Sequence, residues 1–114
     1  MTDQPDDIIL VLITAPSEEA AEQLARQLLR ERLAACVNLI RSVHSLYWWA
    51  DEIQSDTETL LLVKTRQQGF HEHFIPFVKK HHPYQIPEIL ALPILAGNLE
   101  YLQWVIKETQ PESS

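Results

Sequence analysis

Cysteine is nearly missing from the 114 residues: Cys36 stands alone, so no disulfide closes within the chain. A lone thiol sits most easily in a reducing compartment. Glycine is almost as scarce. Gly69 and Gly97 are the only two, which leaves no glycine-rich loop to cradle a phosphate. Basic charge is short too: 9 Lys and Arg against 16 Asp and Glu give a net charge of -7. That sign argues against nucleic acid and anionic membranes as partners. The apolar run IILVLI, Ile8 to Ile13, falls far short of the roughly 18 residues that span a bilayer. The acidic TDQPDD before it lacks the positive region of a signal peptide, so the expected location is the cytoplasm. No His-Glu-x-x-His and no Ser-His-Asp order with a nucleophile elbow is found, and an enzyme is not expected.

What is present suffices for a core. With 46% hydrophobic and 22% charged residues the chain sits among soluble globular proteins and away from disordered ones. Its length fits a single domain over 1–114, with 1–7 and 110–114 expected to be flexible.

Periodicity orders the elements. IILVLITA is continuously apolar and β-branched, the pattern of a strand covered on both faces. A helix is expected at about 17–32, capped by Ser17, with Glu18, Glu19 and Glu22 at its positive end and Arg26, Arg30 and Arg32 toward the negative end. From Ala35 to Trp49 the period changes to two, placing Val37, Leu39, Val43, Tyr47 and Trp49 on one parity. Ala50 to Glu52 reads as a turn, and a second strand runs from Ile53 to Thr65.

A second helix is expected at about 67–81, kinked near Ile75 because Pro76 removes an amide donor inside it. IPEILALPILA reads as a strand whose Pro93 suits a sheet edge. A last helix starts at the cap Asn98 and turns Leu99, Leu102, Val105 and Ile106 inward. The order is α+β, a ferredoxin-like βαββαβ with a long hairpin and an extra C-terminal helix.

The hairpin is too long for its own body. Strands of 13 to 15 residues measure roughly 45–50 Å at about 3.3 Å per residue, and a compact chain of this size is only about 35 Å across. The excess carries Leu46, Tyr47, Trp48 and Trp49, an apolar surface expected to pack on another subunit unless a bulge folds it back.

The segments AACVNLI, SLYWWADEIQSDTETLLLVKT, HHPYQIPEILALPI and YLQWV, in this order from about Ile8 to Val105, resemble the CutA family of divalent-cation tolerance proteins. The resemblance implies a PII-like homotrimer with interlocking hairpins and an association with copper or another divalent cation, with no organic cofactor. It also marks two departures: Ala50 stands at the hairpin tip where many relatives have glycine, and Ile13 where some carry cysteine.

Candidate sites follow from both readings. His81 and His82 are imidazole ligands for copper or zinc, or a basic helix end stopped by Pro83. Cys36 is a soft ligand or a small buried hydrophobe. Glu58, Lys64, Tyr84 and Glu88 line a ligand cleft between subunits or form structural pairs, Lys64 with Glu58 or Glu88. Tyr47, Trp48 and Trp49 are the expected trimer contacts, and the protein partner is left open. His44 reads as a hydrogen-bonded strand residue, and His71 and His73 as solvent-facing.

Overall fold

A computed structural model describes residues 7–110. The expected flexible ends therefore fall, apart from Asp7 and Gln110, outside the described residues. The chain runs β1 (Ile8–Ala15), α1 (Glu18–Arg30), β2 (Cys36–Trp49), β3 (Glu52–Arg66), a π-helical turn (Phe70–Phe74) leading into α2 (Ile75–His81), β4 (Ile89–Pro93) and α3 (Leu99–Glu108). The four strands form one antiparallel sheet in the order β2-β3-β1-β4. This is the ferredoxin-like arrangement.

Local chemistry explains the boundaries. Ser17 Oγ accepts the Ala20 amide at 3.1 Å and starts α1, while Glu18 and Glu19 meet the positive helix end. Ala21, Leu24, Ala25 and Leu28 form its buried stripe against Val11, Ile13, Leu61 and Val63 of the sheet. Phe74 and Val78 complete the core on the same side. The expected kink at Ile75 is a change of helix type. Phe74 and Ile75 donate to the carbonyls of Gly69 and Phe70, five residues back, and α-helix begins only where Pro76 needs no donor. Gly69 enters this turn at φ 80°, where its missing Cβ matters because His73 Cδ2 stands 3.2 Å away from that position. Pro93 closes the edge strand β4, where a missing amide leaves no inner ladder bond broken.

Two features of the hairpin depart from the regular alternation. Ile40 pairs with Leu60 but Val43 with Glu58, so Arg41 and Ser42 face Thr59 alone in a bulge, and Ser42 takes φ 60°. The bulge reverses the parity of β2. Val37 and Leu39 lie over Val63 and Leu61 on the helix-covered face, whereas Val43, Tyr47 and Trp49 fall on the opposite face with Glu58, Gln54 and Glu52. The single face expected for those five residues is thereby corrected. At the tip, Trp49 pairs with Glu52 and the two residues between them, Ala50 and Asp51, adopt φ of 52° and 64°. Positive φ at both central positions makes a type I′ turn, with alanine where glycine or asparagine is usual.

The hairpin projects. The Cα radius of gyration is 14.9 Å and the longest extent 45 Å, against about 13 Å for the radius of a compact chain of this length. The bulge does not fold it back: Leu46, Trp48 and Ile53, on one face, remain 66%, 71% and 65% exposed.

The C-terminal helix needs a second correction. Val105 is fully buried and Leu102 and Ile106 partly so, but Leu99 is exposed. The helix is pinned at its far end, where Arg32 binds the Glu108 carboxylate and carbonyl and Arg66 binds the Thr109 hydroxyl and carbonyl. Burial is accordingly confined to its later turns.

Candidate functional site

The corner after α2 is built from two histidines that do different things. His81 stacks on Phe77, ring centres 4.2 Å apart, and donates from Nδ1 to the Phe77 carbonyl at 2.9 Å, which ties it to its own helix end. His82 turns inward and is buried. Its Nε2 donates to the Thr14 carbonyl at 2.7 Å, and its Nδ1 accepts the Tyr84 amide at 3.0 Å. A carbonyl only accepts and an amide N–H only donates, so these partners select the neutral Nε2–H tautomer. Both His82 nitrogens are committed, and no ring lone pair is left for a metal ion while these bonds stand. The two histidines expected as a metal pair are thus held by different partners, His81 by its own helix end and His82 by Thr14 and Tyr84.

The corner then reaches the hairpin root. Tyr84 donates from its hydroxyl to Glu58 Oε2 at 2.7 Å, and Glu58 is only 7% exposed. Burial raises the Tyr84 hydroxyl well above the usual phenol range, and the bond to Glu58 and the charge of that carboxylate push the same way. One step further out, Tyr47 donates to Asp56, and this bond raises its hydroxyl as well. The acidic pair on β3 is thus faced by two neutral phenols.

Lys64 lies elsewhere. It pairs in register with Cys36 and Leu10, donates to Asn38 Oδ1, and holds Nζ 4.0 Å from Cys36 Sγ. Glu58 is six residues away along the same strand, roughly 20 Å at about 3.3 Å per residue. Glu88 is exposed at the corner. The four residues expected to line one cleft are therefore split within a subunit, and the expected ion pair of Lys64 with Glu58 or Glu88 is replaced by the bond to Asn38. Cys36 is half-buried beside Tyr101, whose hydroxyl is raised by burial first and then by its contact with that thiol. Among the described residues no three His, Cys, Asp or Glu side chains converge as a metal-binding group.

His44 is hydrogen-bonded, to Ser55 across the hairpin at 2.7 Å, and His71 and His73 are exposed. Sequence reasoning missed the cleft of about 590 Å³ between Glu31, Arg32, Arg66, His73 and Thr109 at the opposite end of β3. The only signal was Arg32 beyond the last periodic residue of α1, and nothing linked it to Arg66. No helix among the described residues is long and apolar enough to cross a membrane.

Comparison with known proteins agrees with this architecture. A family model described as CutA1 divalent ion tolerance protein matches residues 9–108. The divalent-cation tolerance protein CutA of Thermus thermophilus is 51% identical over 100 residues, covering 88% of this chain and 96% of that one. The chloroplastic protein CutA 1 of Oryza sativa is 44% identical over 105 residues, 90% of this chain, and the chain spans 57% of that relative's length. The crystal structure of CutA1 from Oryza sativa matches with a TM-score of 0.86 at 43% identity, covering 94% of this chain and 96% of that one. The chain belongs to the CutA1 family of divalent ion tolerance proteins.

Proposed function

We propose that the protein takes part in tolerance to divalent cations as a non-catalytic homotrimer that holds copper or another divalent ion weakly. The observation that carries this reading is the family match over residues 9–108, together with a relative at 51% identity whose name states divalent-cation tolerance. The trimer is supported by the projecting hairpin, since an apolar stripe of Leu46, Trp48 and Ile53 calls for a covering surface. With no three-ligand group inside one subunit's described residues, the ion is held by side chains from more than one subunit. The single unpaired thiol of Cys36 favours a reducing compartment, and the cytoplasm is the location we assign.

Isothermal titration of copper and zinc into chelator-treated protein tests this, alongside a Trp48→Asp variant sized by light scattering. Saturable uptake by the trimer that is lost when the variant dissociates supports the reading. Uptake no greater than that of an unrelated histidine-containing control refutes it.

A second reading, a PII-like regulator that takes a small anion, is favoured by the cleft of about 590 Å³ beside Arg32 and Arg66. A thermal-shift screen of small carboxylates and phosphates separates the two, because a ligand specific to the folded state raises the midpoint with concentration.

A further inference from the structure

We propose that the cleft of about 590 Å³ at the far end of β3 binds a free α-amino acid, taken by its carboxylate and its ammonium together. This rests on the second reading above, whose small anion it specifies as a zwitterion. The volume lies within the roughly 300–1,000 Å³ of small-molecule pockets.

The carboxylate end is built from two guanidiniums that are held in place. Arg66 donates from Nε and Nη2 to the Thr109 hydroxyl and carbonyl at 3.0 and 3.1 Å, and from Nη1 to Gln68 Oε1 at 2.8 Å. Arg32 is anchored to the Glu108 carboxylate at 2.8 Å. Both positive charges are therefore fixed in the wall before a ligand arrives, which lowers the ordering cost of binding. Arg32 also occupies a place that suits another residue. The amides of Arg32 and Leu33 close back on the Leu29 and Leu28 carbonyls in a Schellman end to α1, and Arg32 takes the left-handed position, φ 59°, where glycine is usual. Backbone strain of this kind gathers at ligand clamps.

Thr65 is the independent sign of a ligand. It is 4% exposed and lines the cleft, and its hydroxyl has no hydrogen-bond partner among the described residues. Fully buried polar side-chain atoms among those residues all have partners, so this hydroxyl is not sealed in and opens onto the cleft. It is a donor in a nearly dry wall beside two fixed cations, a setting that suits a carboxylate.

The cleft also carries the opposite sign. Glu31 and Glu72 line it, are exposed, and have no side-chain partner among the described residues. A bare dianion meets their repulsion, whereas a zwitterion satisfies both signs. Leu33 and Phe74 add apolar surface for a side chain. His73 reaches the cleft from the π-helical turn, a helix type frequent at functional sites.

The test is an NMR titration of the metal-free, isotope-labelled full chain with each proteinogenic L-amino acid. For any that binds, the acid lacking the ammonium and the amine lacking the carboxylate follow, with inorganic phosphate as the bare anion. At least one amino acid should give saturable shifts of the Thr65, Gln68, Gly69 and His73 amides, and each truncated analogue should bind at least roughly tenfold more weakly, having lost one charge-assisted contact. Thr65→Val keeps the branched shape and removes only the hydroxyl; it should weaken the amino acid roughly tenfold with no lower melting temperature. The double variant Glu31→Gln/Glu72→Gln should weaken the amino acid and leave the ammonium-free acid as it was, which loss of structure alone would not do. Phosphate or the ammonium-free acid binding as tightly as the amino acid overturns the zwitterion and leaves the anion reading standing. Absence of binding by amino acids and phosphate alike overturns both. Undiminished affinity in Thr65→Val overturns the assignment of the site.

Discussion

Tyr84 and Glu58 lie 26 residues apart and meet at 2.7 Å, where the phenol supplies a donor to a carboxylate that is almost wholly buried. A buried acceptor that loses its donor keeps its desolvation penalty. Tyr84→Phe should therefore lower the unfolding free energy by about 1–3 kcal/mol, read from urea denaturation midpoints at constant protein concentration. Glu58→Gln, which keeps a carbonyl acceptor for the phenol, should lower it less. Equal losses in the two variants would mean that the carboxylate charge, rather than the hydrogen bond, matters at this position.

The same bond sets an alkaline limit. All three tyrosines, Tyr47, Tyr84 and Tyr101, are held above the ordinary phenol value, the first mainly by its bond to Asp56 and the others mainly by burial. The folded state favours the neutral phenol and so binds more protons than the unfolded chain in this range. Its contribution to stability is complete below the unfolded value, about 10, and declines as pH rises above it. In a spectrophotometric titration of the folded protein, the tyrosines should ionise at higher pH than free tyrosine does. An early, reversible step equivalent to one tyrosine, with the circular dichroism unchanged, would contradict this for that residue.

The tip of the hairpin carries strain that one substitution relieves. Ala50 sits at φ 52° in a type I′ turn, a left-handed conformation unfavourable for a residue with a Cβ. Ala50→Gly or Ala50→Asn should stabilise the protein by up to about 1 kcal/mol, and Ala50→Val should destabilise it. The comparison is made by thermal melts of the three variants under one set of conditions.

Core and arm should respond differently to truncation. Leu28 is fully buried in α1, and Leu28→Ala should destabilise by about 2–5 kcal/mol through lost burial and the cavity left behind. Trp48 is 71% exposed within the subunit, and Trp48→Asp should act on assembly instead. Light scattering should report a smaller particle, and its melting temperature should come to depend on protein concentration.

The element order was legible because each element carries its own local signal. Ser17 followed by Glu18 and Glu19, then Ala21, Leu24, Ala25 and Leu28, specifies α1 without reference to anything distant. Pro76 marked the place where the helix changes type. The bulge was hidden because apolar residues recur at odd positions on either side of it, and Ser42 takes its left-handed conformation without a glycine to announce it. Tyr84 and Glu58 stood out as polar residues of the family motifs, but that they bind each other, and that Lys64 binds Asn38, depends on strand register. Register is a property of pairs of strands and is not written in either one.

The bulge at Arg41 and Ser42 acts as a half-period phase shift. Inward of it, odd-numbered residues of β2 serve the core; outward, the same parity turns Tyr47 and Trp49 toward Glu58 and leaves Leu46 and Trp48 on the other side. Which aromatic ring the arm shows to which neighbour is thus decided by a count of residues in the strand, independent of their chemistry. Excising one residue at the bulge would let β2 alternate without interruption, while every pair from Val43–Glu58 to Trp49–Glu52 keeps its partner and its side.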